Sequence, residues 1–146
     1  MIKTELITKS LEETQKIGKE FAQKINGGGL LCLYGELGAG KTSFTQGLAE
    51  GLGIKRRVNS PTFIIMRSYV IGLQNQAKHL YHLDLYRINS DRDIEGLGVA
   101  EILEDPTNII VIEWPEKAEK ILPNNRTNIY FKYLGDDERS ITIHEN

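Results

Sequence analysis

Apolar residues along this chain fall into distinct rhythms, and each rhythm predicts a kind of element. Residues 30–34 (Leu-Leu-Cys-Leu-Tyr) and 109–112 (Ile-Ile-Val-Ile) are unbroken apolar runs. Runs this short and this rich in aliphatics read as strands buried on both faces. A second rhythm repeats every four residues. Ile17, Phe21 and Ile25 follow Ser10-Leu11-Glu12-Glu13, which has the capping-box form with Ser10 as N-cap and Glu13 at N3. They predict a helix of about four turns, ended by Gly27-Gly28-Gly29. Phe44, Leu48 and Leu52 share one helical face, and Gly53 stands at the C′ position of the helix they predict.

The third rhythm alternates. Residues 2–7 predict a short edge strand, and residues 63–71 and 78–86 predict two strands of an antiparallel hairpin around a break at 72–76. Period-2 geometry places Leu80, His82, Asp84 and Tyr86 on one face of the returning strand, with Tyr81, Leu83 and Leu85 on the other. Ser90-Asp91-Arg92-Asp93 reads as a helix start, interrupted by Gly96 and Gly98 before a second helical piece at 99–103. Asp105-Pro106 marks a turn, and Pro115 suits the first position of a helix. Residues 128–134 and 139–144, joined by 135–138, predict a terminal β-hairpin.

Composition narrows the setting. The 146 residues are expected to form a single domain, 1–146, with a sizeable core. A net charge of −2 creates no general field for nucleic acid or an anionic membrane. The one cysteine, Cys32, falls inside a predicted strand, which points to a reduced, cytoplasmic compartment. No signal pattern and no membrane-length apolar run occurs, and there is no repeat or low-complexity tract.

Chemistry concentrates where the first buried strand meets the second predicted helix. Gly35-Glu36-Leu37-Gly38-Ala39-Gly40-Lys41-Thr42, followed by Ser43, fits G-x-x-x-x-G-K-[ST]. Its glycines allow successive backbone N–H groups to converge on phosphate oxygens, and a helix starting near Gly40 adds its positive N-terminal end. Lys41 is expected to reach the β- and γ-phosphates of ATP, and the Thr42 hydroxyl to bind Mg²⁺. Asp84 lies in an otherwise mostly apolar run, where a carboxylate is costly unless paired or metal-bound. It is a candidate for holding Mg²⁺ directly or through water, with an ion pair to Arg87 or another cation as the structural alternative. Glu113 ends the second buried strand, so it belongs on the same edge as the phosphate loop and is a candidate metal ligand or orienter of water. The leaning is toward Glu113 as inner-sphere ligand, with Asp84 outer-sphere or on the water side.

Other positions carry two readings. Thr62, in Ser60-Pro61-Thr62-Phe63, either enters a strand or senses the γ-phosphate as switch segments do. Thr8 and Ser10 suit helix capping better than contact with a base. Lys55-Arg56-Arg57 suits a solvated surface patch. His82 reads as a hydrogen-bonded structural residue, outside the catalytic set. Arg126, Lys132 and Arg139 could each approach a nucleotide, and nothing local selects among them.

Taken in order, Gly-Glu-Leu-Gly-Ala-Gly-Lys-Thr at 35–42, Ser-Pro-Thr-Phe at 60–63, His-Leu-Asp-Leu-Tyr-Arg at 82–87 and Glu-Trp-Pro at 113–115 resemble the TsaE (YjeE-type) ATPase family. The resemblance covers nearly the whole chain. It implies an α/β P-loop NTPase fold with a mixed parallel/antiparallel sheet flanked by helices. It also implies that Lys41 and Thr42 hold phosphate and Mg²⁺, that Asp84 and Glu113 form an essential acidic pair, and that Thr62 and Trp114 matter. The implied function is ATP hydrolysis supporting threonylcarbamoylation of adenosine in tRNA by the TsaD and TsaB subunits. In that scheme TsaD performs the transfer, and tRNA is met only through the complex. The competing classes are a small P-loop kinase, for which the chain lacks an arginine-rich lid, and a nucleotide-gated binding module.

Overall fold

A computed structural model describes residues 2–59, 65–72 and 75–145. Among them the chain order is β1 (Ile2–Thr8), α1 (Leu11–Lys24), β2 (Gly29–Tyr34), α2 (Lys41–Gly51), β3 (Met66–Val70), β4 (His79–Asp84), α3 (Asp91–Glu95), α4 (Val99–Glu104) and β5 (Asn108–Glu113). A 3₁₀ turn (Pro115–Ala118), β6 (Thr127–Gly135) and β7 (Glu138–Glu145) complete it. The strands form one seven-stranded sheet in the order β1-β7-β6-β2-β5-β4-β3. Strand β5 runs parallel to both β2 and β4, and β6 runs parallel to β2. The outer pairings, β3 with β4, β7 with β6 and β1 with β7, are antiparallel. This is the mixed α/β architecture expected.

The two unbroken apolar runs occupy the middle of the sheet because both of their faces are covered. All six residues of β5 are buried. Leu31 and Leu33 of β2 face the cluster that contains Phe44 and Leu48 of α2 and Leu52 just after it. Leu30 and Cys32 face the opposite cluster with Ile94, Val99 and Ala118. Burial pushes the Cys32 thiol up to about 12, which leaves it protonated and inert at neutral pH.

Helices α1 and α2 lie against each other closely enough that Gly18, Gly47 and Gly51 leave no room for a side chain. A Cβ on Gly18 would meet the Phe44 carbonyl oxygen at 2.1 Å, and one on Gly47 would meet that of Gln15 at 1.8 Å. At the head of α1, Ser10 accepts from the Glu13 N–H at 3.1 Å, as the capping box requires. The reciprocal bond differs from expectation, because the Glu13 carboxylate accepts from Lys9 N–H at 3.3 Å rather than from the N-cap itself.

Boundaries also moved for identifiable reasons. Strand β4 ends at Asp84, two residues early, because the Asp84 carboxylate accepts the Tyr86 N–H at 3.0 Å and turns the chain. Strand β3 starts at Met66, and the first residues of its expected range, with Thr62 and the rest of Ser60-Pro61-Thr62-Phe63, lie outside the described residues. Pro115 opens a 3₁₀ turn of four residues rather than an α-helix. The terminal hairpin is present, and its turn places Asp136 and Asp137 at φ 50° and 65°.

Candidate functional site

Parallel strands β2, β5 and β4 all end on one edge of the sheet, and the candidate residues gather there. The loop between β2 and α2 has Gly35, Gly38 and Gly40 at φ 146°, 79° and 108°. These conformations are open to glycine and strained for other residues. At Gly35 and Gly40 space is short as well. A Cβ would meet the Phe131 carbonyl oxygen at 2.6 Å in the first case and Arg139 Cδ at 3.3 Å in the second. Gly40 caps α2 with no side-chain partner, so the first turn of the helix presents its N–H end to the loop's interior.

Lys41, the first residue of α2, is 4% exposed. Its Nζ donates to the Gly35 carbonyl at 2.7 Å, lies 4.0 Å from Glu113 Oε1, and sits 4.5 Å from the centre of the Trp114 ring. Burial pulls the Lys41 ammonium below its ordinary range, and the charges of Glu113 and then Asp84 act against that pull. Trp114 itself has φ 59°, a left-handed conformation that costs an ordinary residue about 1–3 kcal/mol. The strain falls on the residue immediately after Glu113, where β5 breaks off against the lysine.

Asp84 and Glu113 oppose each other in the β4–β5 register, so their side chains leave the sheet side by side. Both are nearly buried, at 5% and 4% exposed. The Glu113 backbone is fixed by the Leu85 N–H, which donates to its carbonyl at 3.1 Å. One Glu113 oxygen is 2.7 Å from Nε2 of His82, a fully buried ring.

These groups line a cavity of about 290 Å³ whose walls include Gly38, Gly40, Lys41, Thr42, Ser43 and Leu37 from the loop and helix, with Asp84, Glu113 and Arg139. A larger hollow of about 910 Å³ runs along β3. Its walls carry no carboxylate and no part of the glycine loop, so the chemistry belongs to the smaller one. Glu36 and Ala39 shape the loop from outside, through a turn in which Ala39 N–H donates to the Glu36 carbonyl at 3.2 Å. Among the described residues no cluster of three or more His, Cys, Asp or Glu could hold a metal by itself. Two carboxylates and a threonine hydroxyl suit a cation that arrives with phosphate oxygens and keeps part of its water, which is the habit of Mg²⁺.

Two residues of this site lack a local sequence signal. Arg139, on β7, is 9% exposed and donates through Nη2 to the Gly38 carbonyl at 3.3 Å; its guanidinium lies 4.7 Å from the Tyr133 ring centre, and its Nε and Nη1 are buried with no hydrogen-bond partner among the described residues. It reaches the loop because β7 pairs with β1 and β6, a register set far away in sequence. His82 reaches Glu113 across two strands, and the only hint was its shared face with Asp84. Thr8 and Ser10 serve helix α1: the Thr8 hydroxyl bonds Thr14 at 2.8 Å, and Ser10 caps. Arg126 is engaged by Glu119 at 2.9 Å, with Asn128 also in reach.

Fold and site together define a class, an α/β protein in which a glycine-rich loop and two strand-end carboxylates share a cavity at the carboxyl edge of parallel strands. Sequence comparison gives the family. The sequence model of the threonylcarbamoyl adenosine biosynthesis protein TsaE matches residues 8–141. The chain is similar to the tRNA threonylcarbamoyladenosine biosynthesis protein TsaE of Bacillus subtilis, 46% identical over 132 residues, covering 90% of this chain and 79% of the relative. It is 36% identical to the protein of the same name from Treponema pallidum, covering 94% of this chain and 97% of that one. The crystal structure of YdiB from Bacillus subtilis superposes with a TM-score of 0.80 at 39% identity, over 97% of this chain and 84% of the other. The chain belongs to the TsaE family of tRNA threonylcarbamoyladenosine biosynthesis. No helix among the described residues is long and apolar enough to cross a membrane.

Proposed function

We propose that this chain is the ATP-hydrolysing subunit that supports threonylcarbamoylation of adenosine in tRNA, working with the TsaD and TsaB subunits. The observation that carries the proposal is the convergence of Lys41, Thr42, Asp84 and Glu113 on one cavity at the head of α2. Backbone N–H groups of the loop and helix N-terminus suit the phosphates of ATP. Lys41 exchanges its bond to the Gly35 carbonyl for the β- and γ-phosphate oxygens. Thr42 and Glu113 would hold Mg²⁺, which when bound neutralises charge developing on the transferred phosphoryl group. Asp84, beside Glu113, orients water or a metal-bound water molecule. Arg139 adds buried donors at the loop's back wall.

The reading is supported by the family's place in tRNA threonylcarbamoyladenosine biosynthesis. In it the chain supplies turnover to a complex in which TsaD performs the transfer, and tRNA is met indirectly. Hydrolysis by the isolated chain is expected to be slow if the partners supply or align a transition-state arginine, which can contribute roughly 10³–10⁵ in rate. Phosphate release from γ-labelled ATP, with and without TsaD–TsaB, tests this. Stimulation by the partners supports the proposal. Equal rates, or label appearing on a small-molecule acceptor as a kinase would give, overturns it.

A further inference from the structure

His82 sits in the middle of β4, fully buried. A polar ring in that position is costly unless it is bonded. Its Nε2 lies 2.7 Å from Glu113 Oε2, while its Nδ1 is buried without a partner. Among the described residues, then, the imidazole has one hydrogen bond, and that bond goes to the candidate cation-facing carboxylate. An imidazole kept only for packing would gain from an aliphatic replacement of similar volume, because half of its polar capacity is unmet.

The register explains what the bond does. Across the parallel β4–β5 pair, His82 opposes Val111 and Asp84 opposes Glu113. The ring therefore reaches forward along the sheet and meets Glu113 from the core side. It ties Oε2 and leaves Oε1 on the side of Lys41, 4.0 Å from the ammonium. The terminal torsion of a glutamate is otherwise broad and roughly two-fold. We propose that His82 is a positioning residue that fixes the Glu113 carboxylate, dividing its two oxygens so that one faces the loop cavity. A carboxylate only accepts, so the ring donates to it through Nε2–H. This inference rests on the reading of Glu113 as the carboxylate that would hold the cation.

The experiment compares His82→Leu, His82→Gln, His82→Asn and Glu113→Gln with the unaltered chain. Three quantities are measured: ADP affinity in EDTA, Mn²⁺ affinity of the ADP-saturated protein by electron paramagnetic resonance, and kcat and KM for ATP. Loss of a residue that orients a metal ligand typically lowers metal affinity or activity about 10–100-fold. His82→Leu is expected to keep ADP affinity in EDTA and to lose Mn²⁺ affinity and kcat by that order, with KM little changed. A glutamine amide can occupy the Nε2 position, so His82→Gln recovers much of both. The shorter His82→Asn does not. The Gln–Asn pair decides the matter even if His82→Leu fails to fold. Equal Mn²⁺ affinity and kcat in those two variants, or a His82→Leu that lowers only thermal stability, overturns the proposal. If the unaltered chain releases no phosphate, the ATPase reading falls while the Mn²⁺ arm still tests His82. If Glu113→Gln leaves Mn²⁺ affinity intact, the role of Glu113 is wrong and the inference falls with it.

Discussion

Lys41 is charged, nearly buried and held by a backbone carbonyl and an aromatic face. Its depressed pKa has a definite sign in stability. Between the folded value and the ordinary value near 10.5, the unfolded chain binds more protons than the folded one, so this lysine's contribution to stability rises with pH. Below the folded value the burial cost is fully present. Urea melts of the chain and of Lys41→Met, run from pH 7 to 10.5, are expected to show the lysine protein gaining relative to the variant as pH rises. A constant difference contradicts the burial argument. At the back wall, Arg139→Ala removes two buried donors that have no hydrogen-bond partner among the described residues. Hydrogen bonds to charged groups contribute roughly 1.5–3 kcal/mol, so ADP affinity by calorimetry is expected to fall about 10–100-fold. Lys41, Thr42 and Glu113 were legible because their signals are local, a loop spacing and a strand end. His82 and Arg139 were not, because their partners lie 31 and 101 residues away in sequence.

Among the elements, α1 and α2 approach each other at backbone level at Gly18, Gly47 and Gly51, with the Phe21–Phe44 ring contact and the Gln15–Gln46 hydrogen bond beside them. Helix propensity treats Gly18 and Gly47 as liabilities, and only the packing shows their use. Gly47→Ala puts a methyl group 1.8 Å from the Gln15 carbonyl oxygen. Overpacking of this kind typically costs about 1–3 kcal/mol, and α2 carries Lys41 and Thr42 at its head. The variant is expected to melt several degrees lower and to bind ADP more weakly, in calorimetry of both properties. An unchanged Tm would mean that the helices can separate without loss. The buried runs of β2 and β5 announced themselves, since four or five consecutive apolar residues, too few for a helix, suit a strand covered on both sides. Strand β6 did not. Its alternation predicted a hairpin with β7 but carried no sign that its other edge joins β2 in parallel. The polar residue that ends β4 was read as continuing the strand, because a side chain accepting its neighbour's N–H competes with the ladder in a way alternation does not register.

On the scale of the whole molecule, the site draws on α2, β4, β5 and β7 at once, so a ligand there ties the halves of the sheet together. Binding to the folded state alone adds RT ln(1 + [L]/Kd), about 2.7 kcal/mol at one hundred times Kd. Mg²⁺ with ADP is expected to raise Tm by several degrees, with a smaller rise in Lys41→Ala, by differential scanning fluorimetry. An identical shift in both would place the nucleotide elsewhere. In the proposed function Glu113 serves the hydrolysis rather than the holding of ATP, and this division is open to direct measurement. It is tested most directly by single-turnover phosphate release at saturating ATP, beside ATP affinity, for the chain and for Glu113→Ala. Glu113→Ala is expected to retain affinity with most of the hydrolysis gone. A variant that loses ATP binding yet hydrolyses normally once saturated would contradict that division.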